Sequence, residues 1–155
     1  MIDDNYLLIR MHRIINQIDR ETAHIAAEYD LTLSQFGVLE ALYHIGDLTV
    51  GEVKEKILSS NGTIPVVVNN LEKRGLLARK KDPKDKRKSI LTLTEQGRKV
   101  ISEAYPPNEK MIHDQMSVWT KEEKKQLTEL LGKFRPDGSE NTTPDTGTDA
   151  IEKGR

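Results

Sequence analysis

The amino-acid sequence predicts a mainly α-helical fold carrying one small β-hairpin, and three observations support that prediction. Apolar residues recur at spacings of three and four through segment after segment. Three Thr-x-x-Glu/Gln capping boxes, opening at Thr32, Thr49 and Thr120, mark helix starts. Two short β-prone runs, 76–81 and 89–93, flank a charged loop that contains Pro83.

Taken in order, Leu7, Leu8, Met11, Ile14, Ile15 and Ile18 give a long first amphipathic helix, whose stripe suits a helix-pairing seam as well as a core face. The box Thr32-Leu-Ser-Gln35 opens a second helix that is expected to turn Phe36, Leu39, Leu42 and Ile45 inward and to end at Gly46. Thr49-Val-Gly-Glu52 starts a short third helix with Val53, Ile57 and Leu58 on its apolar side. Ser59-Ser-Asn-Gly62 breaks the chain, and a fourth helix runs from about Thr63 to Arg74, where Gly75 stops it. Two short helices joined by a tight glycine-containing turn form a helix-turn-helix. The β-hairpin that follows at once is a wing. Another helix begins at Thr94, and Pro106-Pro107 is expected to kink or interrupt it. Thr120-Lys-Glu-Glu123 opens a last helix carrying Leu127, Leu130, Leu131 and Phe134.

The fold class is therefore mainly α with a β-hairpin wing, a winged helix-turn-helix with helices outside it at both ends. Residues 1–135 are read as one such domain, with the lobe that carries the wing at about 31–94. Residues 136–155, acidic and almost without apolar side chains, are expected to be a disordered tail.

Composition narrows the chemistry. With 155 residues the chain can bury a real core, and 35% hydrophobic against 32% charged residues suits helices with broad solvated faces. There is no apolar run of membrane-spanning length and no secretory pattern at the start, so the cytoplasm is the expected compartment. No cysteine is present, which excludes disulfides, thiolate metal sites and thiol redox sensing. His12, His24, His44 and His113 are scattered without metal-ligand spacing, and no nucleophile motif or phosphate loop occurs, so neither an enzyme nor a metal or cofactor is expected.

The net charge of −1 conceals a strong asymmetry: residues 73–88 hold nine Lys/Arg and two Asp, +7, leaving −8 for the remainder. Distribution, more than the sum, governs attraction to a polyanion. On a helical wheel of the fourth helix, Ile64, Val67, Val68 and Leu71 share one face. The opposite face holds Gly62, Val66, Asn69, Asn70 and Lys73, with Thr63 and Pro65 at its N-terminal shoulders. Small, methyl-bearing and amide side chains suit a major groove, where asparagine can pair with adenine and methyls can meet thymine. An ordinary solvated surface would equally leave this face outward. Ser60 and Asn61, in the turn ahead, join Thr63, Pro65, Val66, Asn69, Asn70 and Lys73 as candidate DNA contacts. At the hairpin tip Lys84, Lys86, Arg87 and Lys88 can straddle a sugar-phosphate backbone, with Arg87 able to enter a narrow minor groove and Asp85 to orient it. Arg79, Lys80 and Lys81 on the approaching strand suit phosphates.

Leu71-Glu-Lys-Arg-Gly-Leu-Leu77, then Asp82-Pro-Lys-Asp-Lys-Arg87, then Leu91-Thr-Leu-Thr-Glu-Gln-Gly97 stand in one order and spacing. Through these motifs residues 6–134 resemble the MarR (multiple antibiotic resistance regulator) family. The resemblance implies a homodimer joined through its first and last helices, which binds a pseudopalindromic double-stranded DNA operator and represses. It also implies that Arg87 is the minor-groove arginine and Asp85 its support. The sequence departs from the family in two places: no Arg or Lys precedes Lys73 on the recognition helix, and Pro65 stands where many relatives carry a hydroxyl residue.

Members of that family commonly answer to small aromatic or phenolic effectors. The segments Leu42-Tyr-His-Ile-Gly-Asp47 and Lys56-Ile-Leu-Ser-Ser-Asn-Gly-Thr-Ile64 are similar to its quinone- and hydroquinone-responsive branch. His12, Phe36 and Tyr43 are candidate effector contacts, expected to face inward, although such side chains are often simply packed. The competing reading is a winged helix that docks a protein instead of DNA.

Overall fold

The computed structural model describes residues 3–57 and 63–134. The expected turn at 58–62, with Leu58, Ser60 and Asn61, and the expected acidic tail at 136–155 lie outside the described residues. The elements run α1 (Asp4–Ala27), α2 (Leu33–Ile45), β1 (Leu48–Thr49), α3 (Val50–Lys56), α4 (Ile64–Lys73), β2 (Leu77–Lys81), β3 (Ser89–Leu93), α5 (Glu95–Met116) and α6 (Lys121–Leu131).

All three capping boxes form reciprocally. At the start of α2 the Thr32 hydroxyl accepts from the Gln35 amide at 3.2 Å while Gln35 Oε1 accepts from the Thr32 amide at 3.0 Å. At α3 Thr49 and Glu52 repeat the exchange, at 3.2 and 2.7 Å. Each satisfies two helix-end donors that would otherwise be orphaned. Gly46 ends α2 at φ 101° and Gly75 follows α4 at φ 70°, left-handed conformations that glycine adopts at little steric cost.

The sheet is antiparallel in the order β1-β3-β2, with Leu77 opposite Leu93 and Lys81 opposite Ser89 in the hairpin. The third strand is an addition to the sequence reading. Leu48 and Thr49 pair with Leu91 and Ile90, so the residue that caps α3 also belongs to a strand. Two residues are too few to show a periodicity.

Phe36, Leu39 and Leu42 of α2, Val53 of α3, Val68 and Leu71 of α4, Leu76, Leu77 and Leu91 around the sheet, and Ile101 and Ala104 of α5 make one core. Each large side chain so buried contributes about 1.5–3 kcal/mol relative to exposure. Ile45, expected inward, is 53% exposed. Each step of three residues falls about 60° short of a full turn, so three steps place Ile45 opposite Phe36. Arg74 ties α4 to the loop before α2, donating to the Asp30 carbonyl at 2.7 Å and to Gln35 Oε1 at 3.2 Å. Asp30 itself is left-handed, at φ 56°.

Pro106 and Pro107 do not interrupt the helix, one of the two outcomes expected of them, because α5 continues through them. Neither can donate to the carbonyls of Ser102 and Glu103, but all four residues are exposed and water can meet those carbonyls. Ala104 and Asn108 keep the helix on its buried side.

The first of two compact units ends at Ile112 and the second begins at His113. Within the first, α1 buries only Thr22 and Ala26, and the apolar stripe from Tyr6 to Ile15 is exposed. That stripe is not part of the core. Within the second, the chain turns after Met116 into α6, which buries no residue and exposes Leu130 and Leu131.

Candidate nucleic-acid interface

Helix α4 divides as its sequence dictates. Ile64, Val67, Val68 and Leu71 are buried, while Thr63, Pro65, Val66, Asn69, Asn70 and Lys73 are exposed, Val66 to 55%. Thr63 stands at the N-cap without a side-chain cap hydrogen bond, and Pro65 lies in the first turn, where its missing N–H costs nothing. Strand β2 grips the helix from the side. The Arg79 guanidinium pairs with Glu72 at 3.0 Å and donates to the Asn69 side-chain oxygen.

The wing tip is built on aspartates. Asp82 accepts from the Lys84 amide at 2.8 Å, and the Asp82 amide donates to the Lys88 carbonyl at 3.0 Å. Asp85 accepts from both the Arg87 amide, at 3.1 Å, and its Nε, at 3.3 Å. The arginine is thus held at its root while its side chain stays 93% exposed. Lys84, Lys86 and Lys88 are exposed around it. Asp85, the support expected for Arg87, is in contact with it.

At the wing base a cleft of about 550 Å³ opens against the start of α3, lined among others by Glu52, Glu55, Asp82, Arg87 and Lys88. The hydrogen bonds from Thr49 hold the Glu52 carboxyl below its ordinary range, Lys88 adds to that, and Asp82 opposes it. Among the described residues no group of three His, Asp or Glu side chains is placed to hold a metal ion.

The effector candidates do not converge. Phe36 is in the core at 1% exposure, and His12 is exposed on α1 instead of facing inward, because that turn of the helix belongs to the open stripe. Tyr43 joins partners the sequence reading missed. Its ring lies 5.1 Å from His44 and 6.3 Å from Tyr105, and His44 meets Tyr105 edge-on at 4.4 Å. Tyr105 donates to Glu109 at 3.3 Å. Burial, with Glu109 and Glu40 nearby, pushes the Tyr105 hydroxyl up to about 12. Burial also raises the Glu40 carboxyl and lowers the His44 imidazole, the latter against the pull of Glu109. One turn on, the buried Asn108 leaves its Oδ1 without a hydrogen-bond partner among the described residues. Glu40, Tyr43 and His44 stand at i, i+3 and i+4, so their shared face was legible; its meeting with α5 was not.

Paired short helices, an outward small-residue face and a supported arginine on a hairpin tip define a winged helix-turn-helix of the DNA-binding kind. Residues 29–88 match the model of the MarR family. The chain is 37% identical over 125 residues to the HTH-type transcriptional regulator MhqR of Bacillus subtilis, covering 81% of this chain and 84% of that one. It belongs to the MarR family and is a DNA-binding transcriptional regulator. Regulators of this family act as dimeric repressors. Among solved structures, a MarR-like regulator from Bacillus cereus superposes with a TM-score of 0.72 at 20% identity, over 84% of this chain and 94% of that one. Bordetella bronchiseptica BpsR, whose DNA binding is regulated by 6-hydroxynicotinic acid, gives 0.70 at 28% identity, over 84% and 91%. These relatives are regulators and not enzymes, and they decide against the protein-docking reading. No helix among the described residues is long and apolar enough to cross a membrane.

Proposed function

We propose that this chain acts as a homodimeric repressor which lays α4 in the major groove of each half of a pseudopalindromic operator, sets Arg87 in the flanking minor groove, and lets go when a small phenolic or quinone-like molecule binds. The observation that carries the reading is the wing tip: a guanidinium anchored by Asp85 yet 93% exposed is preset for a narrow, negatively charged groove. Thr63, Pro65, Val66, Asn69, Asn70 and Lys73 then face bases and phosphates, and Lys84, Lys86 and Lys88 track the backbone; Ser60 and Asn61 are further candidate contacts on sequence grounds alone.

Dimerisation is supported by unpartnered apolar surface. Leu7, Leu8 and Ile15 on α1 are about half exposed, as are Leu130 and Leu131 on α6. Pairing two copies would remove that surface from water. Sedimentation of the wild type should give a dimer and of Leu8→Glu, Ile15→Glu a monomer; a wild-type monomer refutes the pairing.

For the effector, the ring cluster of Tyr43, His44 and Tyr105 offers apolar faces, Glu40 offers a half-buried carboxyl, and Asn108 offers an Oδ1 without a partner among the described residues. The likeness of segments 42–47 and 56–64 to the quinone-responsive branch supports this ligand class, and so does the hydroxylated aromatic acid that regulates DNA binding by BpsR. Calorimetry with a panel of phenols and hydroquinones should show binding that Tyr43→Ala abolishes and that releases operator DNA. Tight operator binding unmoved by every member of the panel would overturn this part.

A further inference from the structure

The clamp between β2 and α4 decides what Asn69 can say to a base. Arg79 reaches across from the strand, its Nε on the Glu72 carboxylate at 3.0 Å and its terminal nitrogen on the Asn69 side-chain oxygen. A guanidinium carries only donors, so the carboxamide must turn its oxygen, never its nitrogen, toward Arg79. Glu72 lies three residues beyond Asn69 on the same side of α4, so the guanidinium spans the two and faces the Asn69 oxygen. The Asn69 amide group is thereby left on the exposed face with two free N–H directions.

We propose that Arg79 is a positioning residue that locks the Asn69 carboxamide as a donor-only reader, so that Asn69 selects an acceptor-rich base edge, guanine, in place of the adenine it would otherwise favour. Pairing with adenine needs both ends of the amide, the oxygen for the N6 amino group and the nitrogen for N7. Here the oxygen is engaged, and the positive charge beside it repels a second donor. Guanine offers two acceptors, N7 and O6, and no major-groove donor. The inference rests on the placement of α4 in the major groove. It adds a specificity that the identity of the residue alone would misassign.

Selection of bound sites from a randomised double-stranded DNA library tests it, using full-length wild type, Arg79→Ala, Asn69→Asp and Asn69→Ala. Wild type should recover sites with guanine at one position of each half. Arg79→Ala frees the amide, and the guanine-over-adenine ratio at that position should fall by about tenfold, the scale of one good base contact. Asn69→Asp keeps the partner of Arg79, folds as an exposed isosteric change, and removes the donor; it should lose the same preference, as should Asn69→Ala. Recovery of adenine at that position by wild type, or an Arg79→Ala loss that is uniform over all sequences, overturns the proposal while leaving operator binding intact. Failure of wild type to enrich any sequence would instead remove the major-groove reading beneath it.

Discussion

Gly97 lies so close to the Leu76 carbonyl that a methyl group on it would stand 1.8 Å from the oxygen. The approach is where α5 leaves the sheet. Thr94 organises it, donating from its hydroxyl to the Gly75 carbonyl at 2.6 Å and accepting from the Gly97 amide at 3.0 Å, while its amide reaches the Leu76 carbonyl at 3.2 Å. Because the obstacle is backbone, it cannot swing aside. Gly97→Ala should therefore cost at least about 3 kcal/mol, beyond the usual overpacking range. Urea unfolding measures it, and a midpoint equal to wild type would contradict this geometry.

Arg74 supplies a second test of the fold. Its two acceptors, the Asp30 carbonyl and Gln35 Oε1, both belong to the entry into α2. Arg74→Ala leaves the left-handed turn at Asp30 without its donor and should lower stability by about 1.5–3 kcal/mol, the scale of charged hydrogen bonds. Thermal unfolding reads the loss, which Arg74→Lys should only partly restore because one ammonium replaces a planar fork.

On the wing, affinity and salt dependence should separate. Arg87→Ala is expected to weaken operator binding by about 1–3 kcal/mol. Replacing Lys84 and Lys86 with alanine should lower the slope of log affinity against log salt by about one for each phosphate no longer neutralised. Asp85→Ala, which leaves Arg87 present but unsupported, should fall between wild type and Arg87→Ala. Fluorescence anisotropy at several salt concentrations reads all three.

Glu40 makes a prediction in pH. Burial raises its carboxyl above the ordinary 4.5, so the folded state holds the proton more tightly than the unfolded chain. Its favourable contribution is complete below 4.5 and disappears as pH rises through the folded value. Glu40→Gln, neutral at every pH, should then raise the melting temperature at pH 7 and give no gain at pH 4. His44 runs the other way. Its imidazole is lowered from 6.5, so the stability it supports is present above 6.5 and declines as pH falls below it. His44→Gln should flatten that acid-side decline.

Much of this architecture was legible because its signals are local. A capping box spans four residues, a glycine stop one, and the amphipathic faces of α4 can be read from the spacing of Ile64, Val67, Val68 and Leu71 alone. The same locality explains the Asp85–Arg87 pair, two residues apart on one loop. Where the sequence reading failed, the answer depended on what lay across from a residue. Ile45 followed the expected spacing and still faced water, because the helix had turned past its core. Pro106 and Pro107 do not interrupt α5, because the carbonyls they cannot serve lie among exposed residues.

Sequence alone determined the order of helices and hairpin, the outward face of α4 and the concentration of +7 in residues 73–88, since each is set by near neighbours and by charge count. Tertiary structure alone decided that β1 joins the sheet through Leu91, that the first-helix stripe is left uncovered, that Tyr43 and His44 meet Tyr105, and that Arg79 takes the oxygen of Asn69. The contacts among these join residues between ten and about sixty positions apart. Only packing fixes which side chain lies opposite which, and so which end of an amide remains free to read a base.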